Sequence, residues 1–203
     1  MTRHILFSSH EPFKLKEFVL RAERFLPVRY DLIIDCRGDK DVEASYDRVI
    51  AELFLADRFD SIQKLGEAPL SRVTAEIMED YDAEDIVCLM TTDEMLVEKV
   101  DEKQVEMAFE DKMLMCFSLR LGRNIDFNSM VGMANLVMPI REDETIMVWD
   151  WDKHYVDFSG PLSVHGHYYR TKDIYKMVKK AGGGSYDELE DGLQVFMTFP
   201  KKL

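Results

Sequence analysis

The chain has 203 residues, 46% hydrophobic and 32% charged, a composition that excludes wholesale disorder and is typical of a globular protein. Its formal net charge of −13 repels nucleic-acid phosphates, so we expect no nucleic-acid partner. The length favours one domain over 1–203 with a sizeable core.

The first 120 residues predict an alternation of strands and helices. The run IVCLM at 86–90 is typical of a central parallel strand covered on both faces. Three other segments predict strands, at 4–8, 28–34 and 113–119. Helical spacing of apolar residues predicts four helices: from Pro12 to Pro27, from Tyr46 to Phe54, at about 70–80, and through Val105 to Phe109. This order predicts an α/β fold with a mixed, mostly parallel sheet flanked by helices.

The C-terminal third predicts less regular structure. Residues 125–139 indicate a loop, and the segments 146–152 and 161–171 indicate two further strands. Two helices are expected at the end: Thr171 caps the first, and Ser185 with Glu188 forms a capping box for the second.

The cysteines and the apolar runs bear on the compartment. Cys36, Cys88 and Cys116 are odd in number and form no C-x-x-C pair, which disfavours a disulfide framework. No apolar run approaches the length of a membrane span, and the first apolar patch is too short for a signal peptide. We therefore expect a cytoplasmic protein without a transmembrane segment.

Two acids follow the predicted central strand, at the edge where open α/β sheets bind ligands. Asp93 and Glu94 could hold a divalent cation that in turn holds a diphosphate. The alternative is a solvated turn whose acids favour the next helix through its dipole.

Further polar and aromatic residues cluster after the later strands. Arg120 and Arg123 offer forked donors to a phosphate, or pair with an acid. Trp149 and Trp151 alternate along a predicted strand, so one is expected in the core and the other as a stacking platform for a sugar ring.

Two histidines, His165 and His167, are expected on one face of the last strand. This spacing suits two metal ligands, or a ligand with a general base, or two structural histidines. Asp157 precedes a Gly-Pro corner, where it either acts in the site or only caps a turn. Ser8 and His10 close the first strand, a usual place for nucleotide contacts in such a sheet.

Several of these segments together resemble a known family. They are the acidic turn at 92–94, CFSLRLGRNI at 116–125, the pair Trp149 and Trp151, the segment 161–167 that ends in Gly-His, and the Leu-Glu pair at 189–190. On these motifs the chain resembles a bacterial group of small GT-A-fold proteins, the majastridin-like nucleotide-diphospho-sugar transferase relatives.

The resemblance implies a GT-A-like sheet whose half 1–120 binds a nucleotide-sugar and whose half 121–203 binds an unknown acceptor. It implies glycosyl transfer assisted by Mn²⁺ or Mg²⁺. The chain departs from the family pattern at Thr92, where an aspartate is expected, and at His165, where an aspartate precedes Gly-His. The alternative function is therefore a catalytically degenerate protein that retains the pocket and binds a nucleotide or sugar.

The predicted roles fall into three groups. We predict donor contacts from Ser8, His10, Arg120, Arg123 and Trp151, metal ligands from Asp93, Glu94 and His167, and catalytic roles for His165 and Asp157.

Overall fold

A computed structural model describes residues 1–52, 55–121, 125, 127–128, 132–134, 139, 141–142, 146–151 and 160–198. The first part contains β1 (Thr2–Ser9), α1 (Pro12–Phe25), β2 (Tyr30–Asp35), α2 (Lys40–Glu52), β3 (Phe59–Lys64), α3 (Leu70–Met78), β4 (Ile86–Thr91), α4 (Glu102–Ala108) and β5 (Phe117–Ser118). The second part contains β6 (Phe127–Asn128), β7 (Met133–Ala134), β8 (Arg141–Glu142), β9 (Met147–Val148), β10 (His167–Arg170), α5 (Thr171–Ala181) and α6 (Tyr186–Gln194).

The main sheet has six strands in the order β3-β2-β1-β4-β10-β5. Strands β1, β2, β3 and β4 pair in parallel, whereas β10 is antiparallel to both of its neighbours, β4 and β5. Five strands therefore point one way, and β4 lies inside the sheet. The predicted α/β fold with a mostly parallel sheet is confirmed at this level.

Helices cover both faces of the sheet. Because side chains alternate along a strand, Leu6 and Cys88 pack on one face with buried residues of α1, α2 and α4. Ile5 and Leu89 pack on the other face with buried residues of α3, α5 and α6. The carboxyl ends of β1, β2 and β4 meet at one edge between these two layers.

Local sequence signals explain most helix boundaries. Pro12 is the first residue of α1, and the helix ends two residues before Pro27. Ser185 caps α6 by accepting a hydrogen bond from the Glu188 N–H at 3.2 Å, which confirms the predicted cap. Thr171 is the first residue of α5 rather than its cap, because Arg170 still has extended backbone angles.

Several strand predictions differ from the structure. The predictions missed β3, an edge strand in which only Phe59 is fully buried, so its sequence carries no apolar run. The strand predicted at 113–119 is limited to β5. The strand predicted at 161–171 begins only at His167, because Gly166 has a φ of 65° that breaks the extended backbone. Among the described residues, no helix is both long and apolar enough to cross a membrane.

Candidate functional site

The first candidate subsite lies where the chain changes direction across the sheet. Strand β1 has β2 on one side and β4 on the other, which makes the carboxyl ends of β1 and β4 a topological switch point. We call this place the β1–β4 crevice, formed by His10, Lys14, Asp35, Arg37 and Asp93. Such a crevice is where open α/β sheets bind ligands.

Ser8 lies below the surface of the β1–β4 crevice. Its side-chain oxygen is 2.8 Å from the Tyr46 hydroxyl and accepts a hydrogen bond from Thr92 Oγ1 at 3.2 Å. Ser8 and Thr92 are both buried. Ser8 was predicted to contact the nucleotide-sugar donor. In this structure its side chain connects β1 to the acidic turn at 92–94 by a buried hydrogen bond.

Asp93 is held by groups from two helices. Lys14 of α1 donates to Asp93 Oδ1 at 2.6 Å, and the Tyr186 hydroxyl of α6 donates to Oδ2 at 2.8 Å. Burial opposes ionisation, but the hydrogen bonds from Lys14 and Tyr186 outweigh it and lower the Asp93 pKa. Sequence reasoning missed both partners, since neither lies near Asp93 in the chain.

The other side of the β1–β4 crevice is an arginine–aspartate pair. Arg37 donates from two nitrogens to Asp35 at 2.9 and 2.7 Å and also bonds to the Gly184 carbonyl. His10 has a φ of 53° and places its ring Nε2 4.0 Å from Asp35. A non-glycine residue in this region is uncommon, and such conformations cluster at functional sites.

The second candidate subsite is a cleft of about 1240 Å³. Its walls include Glu94, Arg120, Trp149, Trp151 and His167, and we call it the Trp cleft after the only two tryptophans of the chain. One acid of the turn, one arginine and one histidine therefore line a common cleft. The individual roles stay predictions.

Glu94 is a titratable group in the wall of the Trp cleft with a pKa near neutrality. Burial raises its pKa to about 7, against the opposing effects of the Thr91 N–H and the Arg120 charge. The Thr91 N–H donates to Oε2 at 3.0 Å. A carboxyl group with this pKa can accept or release a proton at neutral pH.

His165 has a partner for each ring nitrogen. Nδ1 is 3.1 Å from Thr91 Oγ1, and Nε2 is 3.5 Å from Glu190 Oε2. Glu190, which was not among the predicted site residues, also accepts hydrogen bonds from Ser163 and from the Val164 N–H. The imidazole is therefore oriented between a hydroxyl and a carboxylate.

His167 lies in a different environment from His165. It is 1% exposed, stacks on Tyr169, and has its Nδ1 2.9 Å from the His165 carbonyl oxygen. Burial lowers its pKa to about 4. The prediction that the two histidines share one strand face is wrong, because β10 begins at His167.

The tryptophans also differ from their predicted arrangement. Strand β9 ends at Val148, so Trp149 and Trp151 do not alternate along a strand with one side chain in the core. Both are partly exposed and line the Trp cleft. Two aromatic walls are therefore present where one was expected.

Three further predictions concern the metal ion, Arg123 and Asp157. Within the described part of the chain, no group of three His, Cys, Asp or Glu side chains is arranged to hold a metal ion, so Asp93, Glu94 and His167 do not form such a group. The Mn²⁺ or Mg²⁺ site stays a prediction. Arg123 and Asp157 lie outside the described residues.

Gly166 brings the Glu94 carboxylate close to the backbone. A Cβ at this position would lie 3.0 Å from Glu94 Oε1, and the φ of 65° adds about 1–2 kcal/mol for any other residue. We expect Gly166→Ala to lower the free energy of unfolding by that amount in urea denaturation. Gly160→Ala is the matched control, since Gly160 has no strained φ and open space around its Cβ position. Equal stability of the two variants would contradict the prediction.

Comparison with known proteins adds no assignment to this geometry. No protein-family model matches the chain, and no curated protein matches it. The two subsites and the acidic turn between them are therefore the basis for a functional proposal.

Proposed function

We propose that the protein is a glycosyltransferase-like enzyme that binds a nucleotide-sugar in the β1–β4 crevice and transfers the sugar to an acceptor in the Trp cleft. One observation carries this proposal. Asp93 and Glu94 are neighbours in one turn, yet Asp93 belongs to the β1–β4 crevice and Glu94 lines the Trp cleft. A sugar bound at this turn would lie between a donor subsite and an acceptor subsite.

The GT-A-like sheet is part of the same proposal. It is supported by the mixed sheet, in which four parallel strands are followed by antiparallel β10. The parallel half carries the β1–β4 crevice, and β10 begins at the wall of the Trp cleft. The family resemblance implies two halves, 1–120 and 121–203, and residues of both halves line the Trp cleft.

Cationic side chains would hold the diphosphate of the donor. Lys14 and Arg37 lie in the β1–β4 crevice, and Arg120 lines the Trp cleft. In a protein of net charge −13, local cations decide where an anionic ligand binds. Mn²⁺ or Mg²⁺ would use Asp93 together with phosphate oxygens, since Mg²⁺ is commonly held by one or two carboxylates and the substrate phosphates.

Transfer to an acceptor hydroxyl requires a group that takes its proton. Glu94 meets this requirement, because it lines the Trp cleft and its pKa of about 7 leaves it partly ionised at neutral pH. His165 was the predicted base, and its Nδ1 would first have to exchange Thr91 for the acceptor hydroxyl. We therefore assign proton acceptance to Glu94 in this proposal and an orienting role to His165.

A second candidate function is a nucleotide- or sugar-binding protein without turnover. The observation that favours it is the Lys14–Asp93–Tyr186 contact, because both Asp93 oxygens already have partners. If the Lys14 ammonium group takes the place of the metal ion beside Asp93, the site would still bind a nucleotide or sugar but would no longer transfer the sugar.

Isothermal titration with UDP-glucose, UDP-galactose and GDP-mannose, each in Mn²⁺ and in EDTA, tests the proposal. We expect at least one to bind, and we expect Asp93→Asn to weaken that binding more in Mn²⁺ than in EDTA because the carboxylate acts through the cation. Asp80→Asn is the matched control, since Asp80 is exposed and distant in sequence from the turn.

Turnover separates the two candidate functions. With the nucleotide-sugar that binds, release of nucleoside diphosphate should fall by about 10²- to 10⁴-fold in Glu94→Gln, the range for loss of a general base. Binding without any release by the wild type would support the binding protein. No binding of any of the three nucleotide-sugars would refute the glycosyltransferase.

A further inference from the structure

The starting point is a buried polar atom in the wall of the Trp cleft. His167 lines this cleft, is 1% exposed, and its Nε2 has no hydrogen-bond partner among the described residues. Buried side-chain nitrogens are nearly always paired, and an unpaired one is costly. The atom therefore calls for a partner that the described part of the chain does not supply.

The hydrogen bond of the other ring nitrogen determines what this partner must be. His167 Nδ1 lies 2.9 Å from the His165 carbonyl oxygen, which can only accept, so Nδ1 carries the proton. The ring is 1% exposed, and burial disfavours the charged form of an imidazole, so the ring is neutral. Nε2 is then a bare acceptor and needs a hydrogen-bond donor.

The need for a donor narrows the chemistry of the ligand. An ionised phosphate or carboxylate has no proton to donate, so Nε2 does not recognise the anionic part of a ligand. A cation is disfavoured at Nε2, since the positive charge of Arg120 already disfavours a further positive charge on this ring. In addition, the described residues form no three-ligand metal group. A neutral hydroxyl or N–H remains.

The surroundings of His167 favour a hydroxyl on a ring. Trp149 and Trp151 line the same cleft, and aromatic faces pack against the apolar face of a sugar ring while its hydroxyls find polar partners. A volume of about 1240 Å³ exceeds what a drug-sized ligand needs. The cleft can therefore hold more than one ring.

We propose that the Trp cleft binds a neutral, hydroxyl-bearing sugar ring, one of whose hydroxyls donates to His167 Nε2. This proposal rests on the proposed function and names the acceptor class for it. Nε2 is buried in this structure, so the hydroxyl would reach it only when a side chain of the cleft wall moves aside. Met115 lines that wall, and the flexible thioether chain of methionine adapts readily to such a change.

Tryptophan fluorescence reports on this cleft alone, because both tryptophans of the chain line it. The probes are methyl α-glucoside, methyl α-galactoside and methyl α-mannoside, without any nucleotide. We expect at least one glycoside to change the emission saturably, and tetrahydropyran, a ring of the same size without hydroxyls, to leave it unchanged. The proposal is overturned if none of the three glycosides changes the emission, or if tetrahydropyran changes it equally.

Substitution of His167 tests the acceptor. His167→Leu should weaken glycoside binding about tenfold, because the ligand hydroxyl loses its partner. His167→Gln should recover part of this loss, since the amide oxygen is again an acceptor. Equal affinity of His167→Leu and the wild type overturns the proposal.

Nitrogen NMR of the wild type gives a test that needs no variant. The His167 Nε2 resonance should move on addition of the glycoside, whereas His4, which is equally buried and contacts Tyr168 and Glu102 on the other face of the sheet, should not move. Broadening of the His167 resonance by Mn²⁺ alone would identify a metal ligand and overturn the proposal. The glycoside experiments contain no nucleotide. A protein that binds nucleotide-sugars and no glycoside would contradict this inference alone, and a protein that binds a glycoside and no nucleotide-sugar would contradict the proposed function alone.

Discussion

Replacement of Arg170 by methionine should lower the free energy of unfolding by about 3–5 kcal/mol, since several hydrogen bonds to one buried cation are lost together. The guanidinium donates to the carbonyl oxygens of Leu114 at 2.7 Å, Phe109 at 2.8 Å and Asp111 at 2.7 Å. It also lies over the Phe109 ring. Arg170 therefore holds the segment between α4 and β5, which leads into the Trp cleft.

Urea denaturation of Arg170→Met measures this effect. Arg170→Lys should fall between the variant and the wild type, because an ammonium group lacks the planar fork that reaches three carbonyls. Arg72→Met is the matched control: Arg72 is 69% exposed and pairs with Glu76 one turn away, so its loss should cost less than about 0.5 kcal/mol. A loss below about 1 kcal/mol for Arg170→Met would show that the three carbonyls find other partners.

The pH dependence of stability should change when Glu94 is replaced by glutamine. The folded-state pKa of Glu94 is about 7, above the ordinary value of 4.5. Between these two values the folded protein holds a proton that the unfolded chain releases, so the wild type loses stability as the pH rises through this window. Integrated over the shift, the loss is on the order of 3 kcal/mol and is complete above the folded pKa.

Thermal and urea unfolding at about pH 5 and about pH 8 measure the difference. We expect Glu94→Gln to gain stability relative to the wild type on going to the higher pH. Three charged groups act on Glu94 electrostatically, namely Asp93, Arg120 and Glu190. They are present in both proteins, so their own effects on the pH dependence of stability largely cancel in the comparison. Glu110→Gln is the control, since Glu110 is exposed and outside the Trp cleft, and its curve should run parallel to the wild type. Parallel curves for Glu94→Gln as well would refute the raised pKa.

Local patterns determined most elements of the parallel half of the sheet, with the exception of β3. Helix α1 followed from the spacing of Leu15, Phe18, Val19 and Ala22, all of which are buried. Strand β4 followed from its uninterrupted apolar run, and all six of its residues are buried. These signals are readable because burial on both faces, or along one helical stripe, selects apolar residues at regular intervals.

The position of strands within the sheet required tertiary structure. The edge strand β3 buries few side chains and so carries little pattern. The insertion of antiparallel β10 between β4 and β5 depends on pairing between residues far apart in sequence. Hydrophobic periodicity specifies which face of a strand is buried and leaves its neighbours undetermined.

For the candidate site, the sequence by itself determined that acids follow β4 at the ligand-binding edge of an α/β sheet. Only the tertiary structure decided their chemistry. Asp93 and Glu94 are adjacent, yet the pKa of Asp93 is lowered by partners from α1 and α6 whereas burial raises that of Glu94. A protonation state depends on desolvation and on charges brought close by folding, and neither can be read from the order of residues along the chain.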